Sequence, residues 1–269
     1  MHSNSAKNRV VILCGPRLTH LNTCATLIRS GLNVVGICMA DQRTAGIPLK
    51  YLLRSTRRKG IWPTISRGLA RIVYLILNAR QDRAAYERLF NRRELDQALR
   101  PLADRIHHTD DYSNPETLAW LKQRDADVFV AHTPYWIGKE VRALPKKGIV
   151  LGGHPGITPA YRGSHSAFWA IYSQKPEDVG CTVFLIDSGV DTGDIVAQAR
   201  ILVEKGDSFM TLSWKGMIRI AELQAEALAN LDEGRELPRR KVTVPPGSEF
   251  DNPTLGEFLR YRMRQQLVR

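Results

Sequence analysis

The sequence predicts an α/β fold: a Rossmann-like, mostly parallel sheet with helices on both faces, a basic helical insertion and a short C-terminal tail. Three observations carry that prediction. Short runs such as Arg9-Val-Val-Ile-Leu-Cys14 and Asp127-Val-Phe-Val-Ala131 are continuously apolar, as strands buried on both faces are. They alternate with longer segments of helical periodicity, the order that builds a parallel sheet through crossover helices. Several of the runs end abruptly in Gly and Pro, where a strand empties into a loop at the sheet edge.

Taken in order, Arg9–Cys14 is a strand, Gly15-Pro-Arg-Leu its loop, and Thr19 to Ser30 a helix stopped by Gly31. Asn33–Ala40 is the next strand and completes a βαβ unit. The first loop has no Gly-x-Gly-x-x-Gly series, so a dinucleotide site is not supported. From Arg43 to Arg105 fifteen Lys and Arg stand against five Asp and Glu, a local excess of ten. This stretch is longer than a crossover needs and reads as an insertion or cap beside the site. Within it, Ile61 to Ala79 sets Trp62, Ile65, Leu69, Ile72, Val73, Leu75, Ile76 and Leu77 among Arg67 and Arg71, a basic amphipathic helix pattern. The simpler reading packs Leu69 to Leu77 on the sheet and leaves the arginines to solvent. The alternative is contact with an anionic membrane, with Arg54, Arg57, Arg58 and Lys59 supplying attraction.

Arg83 to Ala98 continues as a charged helix, His107 and His108 fall in a loop, and Asn114-Pro115-Glu116 opens a helix through Lys122. After the strand at Asp127–Ala131 comes the loop His132-Thr-Pro-Tyr-Trp-Ile-Gly138. Ile149-Val-Leu151 is a buried strand running into Gly152-Gly153-His154, which puts His154 at a strand's carboxyl end, where open α/β sheets bind ligands. A helix from about Ser166, strands at Gly180–Ile186 and Arg200–Val203, and a helix from Ser208 to Leu231 follow. The expected domain is residues 1–234, with 235–269 a basic tail carrying a helix at Leu255 to Leu267.

The chain has 269 residues, 43% hydrophobic and 25% charged, ordinary for a globular protein. Its formal net charge of +12 is not ordinary and points to anionic partners. Cys14, Cys24, Cys38 and Cys181 show no Cys-x-x-Cys spacing and read as reduced core residues. Met1 to Asn8 is short and polar, without the apolar stretch of a signal peptide, and no apolar run reaches membrane-spanning length. The expected location is the cytoplasm, including the inner membrane face as a peripheral site.

The chemistry is concentrated in Gly148 to Asp194. Here the strand leads into Gly-x-His-Pro-Gly-x-x-Pro-x-Tyr-Arg-Gly over Gly152–Gly163, then a helix, a strand, and Asp-x-Gly-x-Asp-x-Gly-Asp over Asp187–Asp194. This pattern resembles the formyltransferases that take a one-carbon unit from 10-formyltetrahydrofolate, and the sugar N-formyltransferases look most similar. The resemblance is strong over Asp127 to Arg200 and weaker over Arg9 to Ala40. By resemblance, His154 and Asp191 are catalytic, and Gly152 stands where the family has the third catalytic residue, an Asn. Tyr135, Trp136 and Ile137, with Asp187, Gly189 and Val190 across from them, hold the folate's pterin, and Arg17, Arg162 and His165 meet the substrate. No metal is implied.

The residue types suit the reaction. Amine attack on a formyl carbon develops negative charge on oxygen, so a site needs donors aimed at that oxygen and a group that moves a proton. A His oriented by an Asp can serve as both. With Gly152 lacking a side-chain amide, a slow enzyme or a substitute donor is expected, and the candidates are the Gly153 N–H, His132, Thr133 or His165. The expected function is N-formylation of an amine on a small phosphorylated or lipid-linked molecule, with an amino sugar foremost. A weakened folate- or nucleotide-binding relative and a basic nucleic-acid or membrane-surface protein are the alternatives. Expected partners are the small-molecule amine, an anionic membrane surface and a second copy of the chain as a homodimer. Nucleic acid is not expected, because the tail is too short for the C-terminal barrel of methionyl-tRNA formyltransferases.

Overall fold

In the computed structural model, which describes residues 7–41 and 60–267, alternation along β1 (Arg9–Cys14) sets the layers of the molecule. Val10, Ile12 and Cys14 point into one core with Leu21, Cys24 and Leu27 of α1 (Leu18–Arg29) and Ile220 and Leu228 of α7 (Phe209–Asp232). Val11 and Leu13 point into a second core with Phe129, Leu121 and Val141. A strand covered on both sides is apolar at every position, which is why β1 could be recognised without alternation. Gly31, at φ +71°, ends α1 in the left-handed region that a side chain would strain.

Beside β1 stand β2 (Asn33–Ala40), β3 (Ile106–Thr109), β4 (Val128–His132), β5 (Ile149–His154), β7 (Gly180–Leu185) and β8 (Ile195–Arg200), in the order β3-β2-β1-β4-β5-β7-β8. The pairings from β3 to β5 are parallel, and β7 and β8 close the edge antiparallel. The chain moves outward from β1 to β3 and then returns to β4 on the other side of β1. That reversal opens a crevice at the carboxyl ends of β1 and β4, the usual ligand position in such sheets. The fold class is as the sequence predicts.

Several elements differ from expectation. His107 and His108 lie in edge strand β3, not in a loop, with His107 stacked on Trp120 of α4 (Pro115–Gln123). The strand expected at Arg200–Val203 falls earlier, at Ile195–Arg200. Antiparallel pairing sets Gly180 opposite Arg200, and beyond it Leu202 is left exposed. Ile61 to Leu89 is one helix, α2, followed by α3 (Arg92–Leu99), which Asn91 caps by accepting the Arg93 and Glu94 amides.

The expectation that Leu69 to Leu77 pack on the sheet is overturned. α7 already covers the sheet, so α2 packs on α7 and on α8 (Leu255–Leu267) with Ala70, Tyr74 and Asn78 inward. Leu69, Ile72, Leu75, Ile76 and Leu77 are exposed. Residues Arg54, Arg57, Arg58 and Lys59 lie outside the described residues.

The segment after Gly234, read as a basic tail, packs into the domain. Arg240 and Ile195 exchange backbone hydrogen bonds, and β9 (Glu249–Phe250) pairs with β6 (Arg162–Gly163) in the loop after His154. Phe258 and Tyr261 of α8 join Phe168, Trp169 and Phe209 in an aromatic third core. This core contains α6 (Ser166–Tyr172), the helix that follows the site loop.

Candidate active site

β5 ends at His154, whose ring is buried against the loop that follows it. Thr182 fixes that loop: its hydroxyl donates to the Gly156 carbonyl at 2.8 Å and accepts from the Thr158 amide at 3.1 Å. Nε2 of His154 lies 2.9 Å from the Tyr161 carbonyl and 2.8 Å from Ser166 Oγ. Nδ1 lies 3.2 Å from Oδ2 of Asp191. The Asp191 carboxylate and the Tyr161 carbonyl only accept, whereas the Ser166 hydroxyl can donate to Nε2 or accept from it, so both edges of the ring have partners.

Asp191 comes from far along the chain. Leu185 sits opposite Leu151, near the start of β5, and the 186–194 loop doubles back to bring Asp191 to His154. Asp191 itself has φ +52°, and Oδ2 also accepts the Gly163 amide at 3.2 Å. Gly193 allows the loop to close: a Cβ there would lie 1.6 Å from the Leu185 carbonyl oxygen. Asp187 holds the turn by accepting the Gly189 amide at 2.9 Å and the Thr192 hydroxyl at 2.8 Å.

Gly152 faces the space where a side chain at that position would stand, and the space is filled. A Cβ would come within 2.8 Å of Ile186 Cγ1 and 3.1 Å of Phe184 Cε2. Of the substitute donors, His132 Nδ1 is 2.7 Å from Thr23 Oγ1, and Thr133 Oγ1 accepts the Tyr135 amide at 3.3 Å. His165, at φ +55°, packs edge-on against Phe209 in the wall of a separate cavity, and burial lowers its pKa.

The residues expected to hold a pterin are spread over two loops. Trp136 and Val190 are exposed, Tyr135 is half-buried, and Ile137 is 4% exposed with its side chain in the second core. Ile137 therefore offers its backbone, not its side chain. Arg142, which sequence reasoning missed, ties the loops together by donating to the carbonyls of Ile137 and Asp187. Beside them, Tyr112, Ser113, Tyr135 and Trp136 line a cavity of about 410 Å³.

Arg17 is exposed in the loop after β1, as a phosphate contact would need. Arg162 is not so placed. Its Nε donates to Ser248 Oγ at 3.2 Å and its Nη1 to the Val190 carbonyl at 2.8 Å, and the side chain is buried, so it braces the 187–191 loop instead of reaching for substrate.

At the crevice between β1 and β4 stand two further histidines. His20 and His132 lie with ring centroids 5.2 Å apart, and burial pushes their pKa values down to about 4 and about 3. Both are neutral at physiological pH. His20, whose Nδ1 accepts the Gly15 amide at 3.1 Å, sits inside a helix pattern and carries no sequence signal of its own.

A family model described as formyl transferase matches residues 80–239, more than half of the chain. The chain belongs to the formyl transferase family. The match starts inside α2 and runs past α7, farther in both directions than the motif region. A methionyl-tRNA formyltransferase from Caldanaerobacter subterraneus subsp. tengcongensis is 35% identical over 130 residues, 48% of this chain and 41% of that protein. A GDP-perosamine N-formyltransferase from Brucella melitensis is 35% identical over 131 residues, 44% of this chain and 49% of that protein. The chain thus spans less than half the length of either relative.

Among solved structures, a glycinamide ribonucleotide transformylase from Symbiobacterium toebii superposes with a TM-score of 0.54 at 18% identity, covering 90% of this chain and 99% of that one. A 4-N formyltransferase from Francisella tularensis gives 0.53 at 14% identity, covering 90% and 75%. These likenesses establish the fold that the family shares. Among the described residues no helix is long and apolar enough to cross a membrane.

Proposed function

We propose that this formyl transferase family member moves a formyl group from 10-formyltetrahydrofolate to the amine of a small molecule, an amino sugar foremost. The observation that carries the reading is the His154–Asp191 pair at 3.2 Å, assembled from the end of β5 and a distant loop in a chain of this family. The sugar is supported by the GDP-perosamine relative.

The residues present fit the donor. A flat heterocycle with many hydrogen-bonding edges suits two backbone-rich loops fixed by Arg142, next to Tyr135 and Trp136. When bound, the donor supplies the formyl carbon, and everything else is the work of this chain. Asp191 orients the His154 ring through Nδ1, and His154 holds the proton that the departing nitrogen needs. The Ser166 hydroxyl and Tyr161 carbonyl fix the other edge of the ring.

Ile186 in the place of an amide donor favours a second reading, a slow enzyme or a binding protein. The test is release of tetrahydrofolate from 10-formyltetrahydrofolate in the presence of amino-sugar nucleotides, for the parent and for Asp191→Asn. An Asn tolerates the positive φ of Asp191, so the loop keeps its shape. Turnover is expected to fall by about 100-fold or more, the low end of what a positioned proton-transfer group contributes, while donor affinity changes less than about twofold. Donor binding without turnover in the parent selects the second reading. Neither binding nor transfer overturns both.

A further inference from the structure

A cavity of about 600 Å³ opens between α2, the start of α7 and the segment leading into α8, and no role assigned so far uses it. It adjoins the catalytic loop. His165 forms part of its wall, and the next residue, Ser166, touches His154 at 2.8 Å.

Its lining divides by chemistry. Tyr74, Phe209 and Trp214 present aromatic surface, whereas Arg67 and Arg71 enter from one turn of α2. Asp82 also lines it but is already engaged by the hydroxyls of Tyr74 and Ser208. Arg67 donates from Nε to the Asn252 carbonyl at 2.9 Å and approaches Asp251 at 3.8 Å, but its Nη1 is buried with no hydrogen-bond partner among the described residues. A buried donor without a partner is costly, so a ligand oxygen there is favoured. Two guanidinium groups one turn apart suit an anionic group such as a phosphate.

The cavity's lip at Gly68, Leu75 and Ala79 runs into the outer face of α2. There Ile61, Trp62, Ile65, Leu69, Ile72 and Ile76 recur at helical spacing and are exposed, Trp62 at 80% and Ile76 at 77%. α8, packed beside α2, adds exposed Leu259 and Met263. Large apolar side chains in such a row mark a docking surface. Charge selects the partner. α2 carries Arg67, Arg71 and Arg80 and no acidic residue before Asp82, in a chain of formal net charge +12. Apolar rows flanked by cations, with tryptophan at one end, suit the interface of an anionic bilayer.

We infer that α2 rests on an anionic membrane surface and that the cavity beside it receives the phosphate of a lipid-borne acceptor, held by Arg67 and Arg71 with its chain along the apolar row. This rests on the formyl transfer proposed above, because it names where the acceptor amine is carried.

The test is sedimentation of the full chain with vesicles of phosphatidylglycerol or of phosphatidylcholine, alongside a separate titration of 10-formyltetrahydrofolate. Binding to phosphatidylglycerol is expected to be at least about tenfold tighter and to weaken with salt as screening shortens the electrostatic range. The variant Ile65→Ser/Ile72→Ser/Ile76→Ser, exposed at every position, should melt like the parent and lose at least about tenfold in vesicle affinity, since three of the six apolar side chains in the row are removed. Arg71→Gln should weaken phosphatidylglycerol binding, and soluble glycerol phosphate should fail to displace the vesicles. Equal binding to both lipids, parental binding by the triple variant, or displacement by glycerol phosphate overturns the inference. If the donor binds and vesicles do not, this inference fails alone and formyl transfer stands. If vesicles bind and the donor does not, the transferase reading fails and takes the lipid-borne acceptor with it.

Discussion

Gly152 lacks a side chain for a reason that lies across the site, at Ile186. The branched side chain of Ile186 occupies the volume where an amide at position 152 would begin, with Phe184 closing the far side. The two positions therefore have to change together. Gly152→Asn alone is expected to destabilise the protein by about 1 to 3 kcal/mol through overpacking and to give no gain in transfer. Adding Ile186→Ala opens the space. The double variant should then exceed Ile186→Ala in formyl transfer by about tenfold or more, since a well-placed oxyanion donor contributes roughly 3 to 4 kcal/mol. Melting curves and single-turnover rates for the two singles and the double complete the cycle. A Gly152→Asn protein that melts like the parent would show that Ile186 moves aside freely and that the glycine has another origin.

At the scale of elements, the two loops proposed to bind the donor depend on one cation from α5 (Lys139–Arg142). Arg142 spans from the Ile137 carbonyl to the Asp187 carbonyl, so Arg142→Met should let the 187–191 loop drift. KM for the donor is expected to rise by about tenfold, the loss of roughly 1.4 kcal/mol of charge-assisted hydrogen bonding, with kcat reduced less. An unchanged KM would assign Arg142 to the fold alone. Arg142 illustrates what the sequence hides. His154, Asp191 and the glycines around them could be read because local backbone needs and reaction chemistry restrict those positions to few residue types. An arginine that bonds two carbonyls from distant loops has no local signature, and neither does His20, whose partner His132 lies 112 residues away on another strand. Strands β1, β2, β4 and β5 were legible because burial on both faces leaves a continuous apolar run. β8 was misplaced because its position follows from pairing with β7, and past Arg200 the pairing runs out after the Ile201 amide donates to the Val179 carbonyl, although Leu202 and Val203 continue the apolar run. The same ambiguity affected α2, where both faces are apolar and the pattern cannot tell which one meets the core.

For the whole molecule, the buried histidine pair links stability to pH. His20 and His132 titrate in the fold near 4 and near 3, against an ordinary value of 6.5, chiefly because burial disfavours their charged forms. Below 6.5 the unfolded chain takes up protons at these positions and the folded chain does not, until the pH approaches 4. The stability they contribute is therefore complete above 6.5 and is lost as the pH falls toward 4. Each histidine makes the loss about 1.4 kcal/mol per pH unit in that window. Between pH 7.5 and 5.5 the melting temperature should fall by roughly 5 °C or more, given about 2 to 4 °C per kcal/mol for a domain of this size. That range lies above the ordinary titration of carboxylates, so the histidines dominate it. His132→Gln retains a polar partner for the Thr23 hydroxyl and removes one of the two titrations. The variant should be less stable than the parent at pH 7.5 and should lose less on acidification, the difference between the two proteins narrowing by about 1 to 1.5 kcal/mol at pH 5.5. Parallel melting profiles for parent and variant across this range would mean that His132 takes up its proton in the fold as readily as in the unfolded chain, and the crevice between β1 and β4 would then gain charge below about pH 6.5.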